Sequence, residues 1–177
     1  QTLALVEYLP AIDAGNNVAD LATDQRSDGF PRISGPAADI GAFEFQQALL
    51  APRLAKAFAP PRIAPGGTST LTITLTNDNT GVATLSADLV DALPSPLVVA
   101  DVPDAATTCA GGTVAADPGA GAVVLGTAAA IPATASCTVT VSVTADVDDL
   151  YANTIPVGAL QTDLGSSAEA ATEVLAV

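Results

Sequence analysis

Histidine, methionine and tryptophan are absent from this chain, and its five basic side chains, Arg26, Arg32, Arg53, Lys56 and Arg62, all precede position 63. Without an imidazole no serine triad can form. Residues 63–177 contain no cation, so the larger part of the chain lacks most of the usual catalytic side chains. The first 62 residues hold seven acids and the remainder twelve, for a net charge of −14. Nucleic acid is disfavoured as a partner, because binding it depends on Lys and Arg neutralising phosphates. An anionic membrane surface is disfavoured for the same reason. The acidity suits an exposed protein that is kept soluble or that attracts cations. No apolar run approaches the roughly 20 residues a helix needs to span a bilayer, so no membrane insertion by this chain is expected. Aromatics are scarce too: two Tyr and four Phe are few for a sugar-binding platform. No Asn-X-Ser/Thr sequon occurs.

What is present is a high content of Ala, Val, Leu and Ile interleaved with Thr, a composition that suits thin sheets. The two cysteines, Cys109 and Cys137, have no histidine to join them and are two ligands short of a structural zinc site, so a disulfide is the better reading. Such a bridge is worth roughly 3–4 kcal/mol for a loop of this size and points to an oxidising compartment. The chain starts at Gln1 without a signal peptide and ends inside a strand pattern, which reads as a mature product or an excised piece with any export signal or anchor outside it.

Residues 1–46 are turn-rich, with Ala14-Gly15-Asn16-Asn17, Ser27-Asp28-Gly29 and Ser34-Gly35-Pro36 separating short apolar pieces. A fragment with so little continuous apolar sequence could scarcely bury a core alone. Residues 47–66 read as a Pro-rich joint and first strand; residues 46–51 could make a helical turn, but Pro52, Pro60, Pro61 and Pro65 forbid a long helix. Residues 67–177 alternate. At 69–76, Leu71, Ile73 and Leu75 interleave with Thr; at 136–145, Cys137, Val139, Val141 and Val143 share one face. Further strands are expected at 82–89, 97–100, 122–125, 152–157 and 169–177. About seven strands joined by Gly, Pro and Asp turns predict an all-β fold, an immunoglobulin-like antiparallel β-sandwich preceded by a small irregular β segment.

The motifs Pro10-Ala11-Ile12-Asp13-Ala14-Gly15, Thr23-Asp24-Gln25-Arg26, Arg32-Ile33-Ser34-Gly35 and Asp39-Ile40-Gly41-Ala42-Phe43-Glu44 resemble the closing segment of bacterial secreted parallel β-helix proteins of the choice-of-anchor Q type. Residues 58–177 are similar to the conserved-repeat, immunoglobulin-like modules of large bacterial surface proteins. That second resemblance is carried by Phe58, Pro61, Ile63, Gly66, Leu71-Thr72-Ile73, Leu93-Pro94, Thr108-Cys109, Gly111-Gly112, Ile131-Pro132-Ala133, Ser136-Cys137-Thr138-Val139, Asn153 and Gly158-Ala159-Leu160. The paired cysteines at corresponding positions support the disulfide. The resemblances imply a β-helix cap at residues 1–46, export, a surface or matrix setting and a stalk-like or adhesive role, with no catalytic activity.

Three chemical candidates remain. Asp24, Asp28 and Asp39 beside Arg26 and Arg32 could be an acid–base pair, but structural ion pairing among Arg26, Arg32, Asp24 and Asp39 is the simpler reading. Asp146, Asp148 and Asp149, just after a strand, are a candidate calcium site, as is the acidic turn 101–104; neither has the spacing of an EF-hand, and a solvated acidic loop is the alternative. Gly119-Ala120-Gly121-Ala122 lacks the third Gly and the Lys of a phosphate loop. No other cofactor is expected. The expected function is a non-catalytic structural or adhesive module of a secreted or cell-surface bacterial protein, working through protein–protein contacts. The alternative is a homopolymeric filament subunit whose residues 1–46 complete a neighbouring chain by strand addition or stacking.

Overall fold

The computed structural model describes Leu5 and residues 9–34, 37–46 and 49–177. It divides the chain into two compact units, Gln1–Ala48 and Leu49–Val177. All fourteen strands of the described residues lie in the second unit, and none of the described residues is helical. The helical turn expected at 46–51 falls partly outside the described residues, and its described positions are irregular.

In chain order the strands are β1 (Arg53–Ala59), β2 (Thr68–Asn77), β3 (Ala83–Thr84), β4 (Leu89–Ala92), β5 (Val98–Val99), β6 (Ala106–Thr107) and β7 (Val114–Ala115). They continue with β8 (Ala122–Leu125), β9 (Ala130–Ile131), β10 (Ala135–Thr144), β11 (Leu150–Ile155), β12 (Gln161–Thr162), β13 (Gly165–Ser166) and β14 (Ala171–Ala176). One layer runs β1-β2-β10-β5, with β6 also on β10. The other is built from the β11-β14 pair and the β4-β8-β7 sheet, β4 lying in contact with β11. Every named strand pair is antiparallel. The fold is an all-β sandwich, as the alternation predicts.

Period-two patterning explains the core. In β2, Leu71, Ile73 and Leu75 point inward, and in β10 so do Cys137, Val139, Val141 and Val143. They meet Leu89, Leu125, Ile155, Leu160 and Leu175 in one apolar cluster. The intervening hydroxyls face out, where Thr74 is registered against Thr138 and Thr72 against Thr140. Cross-strand Thr pairs suit a half-exposed face.

The structure departs from the alternation in one place. The strand expected at 82–89 is two short strands: β3 pairs with β9 and β4 with β8. Asp88, between them, accepts the amide of Thr127 on its side chain, which fixes the change of partner. A regular strand, β1, occupies the middle of residues 47–66, where Pro52 and Pro60 flank it rather than interrupt it.

Two tethers finish the second unit. Cys109 and Cys137 are joined with S–S 2.03 Å, tying the segment after β6 to the inner face of β10. Beyond β1, Arg62 forms a parallel bridge with Ala176, flanked by hydrogen bonds from Ile63 N–H to Ala176 O and from Ala176 N–H to Pro61 O.

The first unit holds together differently. Among its described residues the backbone makes one isolated bridge, Thr23 with Pro31, and is otherwise held by turns and by single hydrogen bonds such as those from Gly15 N–H to Ala38 O and from Gln25 N–H to Ala42 O. Gly15 passes so close to the backbone carbonyl of Asp39 that an added Cβ would collide with its oxygen, so no larger residue fits.

Replacing both cysteines by alanine should lower the stability of the sandwich by roughly 3–4 kcal/mol. The loss should be read as a lower urea midpoint with a larger m-value, because the unfolded chain without the cross-link exposes more surface, and far-UV circular dichroism should still show sheet.

Candidate functional site

Three buried polar side chains meet inside the sandwich, one from each of β1, β4 and β11. In β1, Leu54, Lys56 and Phe58 share the inward phase, so the lysine follows its apolar neighbours into the core. In β4 the same phase carries Leu89 and Asp91, and in β11 it carries Tyr151, Asn153 and Ile155. The side chain of Lys56 is 0% exposed and that of Asp91 1% exposed. Lys56 Nζ donates to Asp91 Oδ1 at 2.7 Å and to Oδ2 at 2.6 Å. Asn153 Nδ2 donates to the same Oδ2 at 3.1 Å. One carboxylate thus gathers an amine and a carboxamide from two other strands.

The electrostatics are finely opposed. Burial pushes the Lys56 ammonium below its ordinary pKa, while the charge of Asp91 and its hydrogen bond pull it back up. The carbonyl of Asn153 has no partner: Oδ1 is buried and makes no hydrogen bond. An orphaned buried acceptor costs about 1–3 kcal/mol.

A second cluster fills the interior of the first unit. Asp24, Asp39 and Glu44 are all buried. Arg26 pairs with Asp24, Nε at 2.9 Å and Nη2 at 2.5 Å from Oδ2, and its Nη2 also donates to Glu44 O. Its guanidinium lies between the rings of Phe30 and Phe43, 3.9 and 3.7 Å from their centroids, a cation–π contact on each side. The hydrogen bond from Arg26 is the main reason that the Asp24 carboxyl is lowered from 3.8 to about 2; burial opposes this, and the amides of Glu44 and Arg26 assist it.

The pairing in this cluster differs from expectation in one respect. Arg32 pairs with Glu44, Nη1 to Oε2 at 2.9 Å, and reaches only the backbone carbonyl of Asp39. The Asp39 carboxylate instead accepts the amides of Asp13 and Phe45, and Glu44 accepts those of Ser34 and Asp39. Carboxylates here do for loop amides what a ladder does in a sheet. Asp28 is exposed and takes no part in the cluster.

The acidic turns come partly together. Asp101, Asp104 and Asp146 line a surface groove of roughly 470 Å³ with Thr68, Ser142 and Thr144. Asp148 and Asp149 do not line it, and Asp149 Oδ1 accepts its neighbour's amide, that of Leu150. Among the described residues no group of three or more His, Cys, Asp or Glu side chains is placed to hold a metal ion. Burial, then Asp149 and Asp148, raise the Tyr151 phenol, which donates to Val147 O.

The interior trio is not marked by proximity in sequence, since its members lie on three separate strands. A different signal exposes it: Lys56, Asp91 and Asn153 each break an inward apolar row, and such breaks are costly unless they meet.

Two outcomes follow. Asp91→Ala leaves an unpaired ammonium in the core and should cost about 3–5 kcal/mol in a urea titration. For Asp24, a folded pKa of about 2 lies below the unfolded 3.8, so its ionisation stabilises the fold above the unfolded value, and this is lost as pH falls through the folded one. The NMR amide signals of Arg26 and Glu44 should therefore titrate with a midpoint near the folded value; a midpoint at the ordinary carboxylate value would contradict the pairing.

Comparison with known proteins finds that residues 52–177 match the sequence profile of DUF7933, a domain of unknown function. No curated protein matches the chain.

Proposed function

This chain belongs to the DUF7933 family, and we propose that it is a non-catalytic structural or adhesive module of a secreted or cell-surface bacterial protein. The carrying observation is that its charged clusters are closed. Asp24, Asp39, Glu44, Lys56 and Asp91 are all buried, and in each a carboxylate is held by donors of the chain itself, which suits holding a shape better than turning over a substrate. The disulfide supports an oxidising, non-cytoplasmic setting, and among the described residues no helix is long and apolar enough to cross a membrane. The β-helix and surface-repeat resemblances agree with a stalk or adhesive role.

A second reading, assembly of copies through the first unit, is favoured by one observation. Val18 is 86% exposed, and Leu21, Ile33 and Ile40 are also exposed, while the buried residues among those described in that unit are Asp24, Ala38, Asp39 and Glu44. Apolar side chains left outside a polar core suit stacking against another β-structure.

Incubation of the purified chain with polysaccharide and peptide substrates should yield no product, and sustained turnover of any of them would overturn the first reading. Sedimentation velocity over a wide concentration range tests the second: concentration-dependent growth supports it, and a monomer throughout removes it.

A further inference from the structure

We infer that Lys56 and Asn153 become joined by a side-chain amide, formed once by the folded chain itself, with Asp91 as the group that moves the protons. This goes beyond the structural role and does not depend on where the module resides.

The placement is what carries the inference. Lys56 is the only lysine of the chain, and it sits not in water but in the core, its side chain fully enclosed. A salt bridge accounts for the lysine and the aspartate. It does not account for Asn153, also fully buried, whose Nδ2 rests on the Asp91 oxygen that Lys56 touches and whose Oδ1 has no partner. An amine, a carboxamide and a carboxyl group between them, sealed from water, are the reactants and the acid–base group of an aminolysis.

The step balances without any co-reactant. Lys56 gives one proton to Asp91 within their existing contact, and the freed amine adds to Asn153 Cγ. The Asn153 carboxamide turns over, so that its oxygen, now without a partner, takes the place of Nδ2 beside Asp91, and the protonated Asp91 donates to it as charge develops there. That addition forms the Nζ–Cγ bond; collapse of the adduct returns the oxygen's proton to Asp91, passes one Nζ proton to Nδ2 and breaks the Cγ–Nδ2 bond. The Asn153 nitrogen departs as ammonia and takes the proton held by Asp91, leaving as ammonium with the carboxylate restored. Burial favours the neutral amine that this requires. Amides resist amines in water, but fixed neighbours reach effective molarities on the order of 10⁵–10⁸ M.

The product ties β1 in one layer to β11 in the other. The test is mass spectrometry of the full chain, reduced and unfolded. The expected result is a mass short by one ammonia, with proteolysis releasing a peptide pair linked between Lys56 and Asn153. Cyclisation of Gln1 would lose the same mass, so the linked pair decides. Separate, unmodified Lys56 and Asn153 peptides from the folded protein would overturn the inference, as would a Lys56–Asp91 link formed with loss of water. Lys56→Arg and Asn153→Ala should lack the linked pair. Asp91→Asn should form it at least a hundredfold more slowly, and an undiminished rate would remove Asp91 from the chemistry. The wild-type peptide map is decisive even if a variant fails to fold.

Discussion

A lysine ammonium cannot enter an apolar core unaccompanied, and most of what is distinctive in the sandwich follows from the fact that Lys56 does enter. Its contact with Asp91 spans the two layers, so β1 must face β4 at one particular phase. A slip of one residue would turn Lys56, Leu54 and Phe58 to solvent and bring Ala55 and Ala57 inward. The apolar rows would tolerate small errors of packing; the ion pair would not, because a buried charge left unmatched is costly.

The sheet layers were the most legible part of the sequence. In β2 and β10, ten-residue strands with uninterrupted alternation, local pattern and tertiary burial agree. Legibility fell where the chain changes partner. Val82 to Leu89 keeps its alternation while the backbone leaves β9 for β8 at Asp88, and periodicity carries no information about which strand lies alongside. At β1 the prolines leave room for a strand because they flank it rather than interrupt it. The interior trio was legible in principle as three polar residues on inward phases, yet each is unremarkable alone and only the fold brings them together.

The two units solve one problem with different materials. In the sandwich, backbone groups are satisfied by ladders and side chains are free to be apolar. In the first unit nearly all the described backbone runs in turns, so its amides need acceptors from side chains, and Asp24, Asp39 and Glu44 supply them. Arg26 and Arg32 then neutralise the charge this concentrates. These two arginines lie in the first unit because that is where three carboxylates have been drawn inside.

The parallel bridge between Arg62 and Ala176 brings the opening and closing segments of the sandwich side by side, pointing the same way. If the two ends of that unit were pulled apart, the paired segments would slide past each other lengthwise. The hydrogen bonds of Ile63 and Ala176 would bear the load together rather than parting one after another, as they would if the strands were peeled from a free end. The arrangement is that of a lap joint in shear, with its greatest resistance along the line of tension in an extended chain.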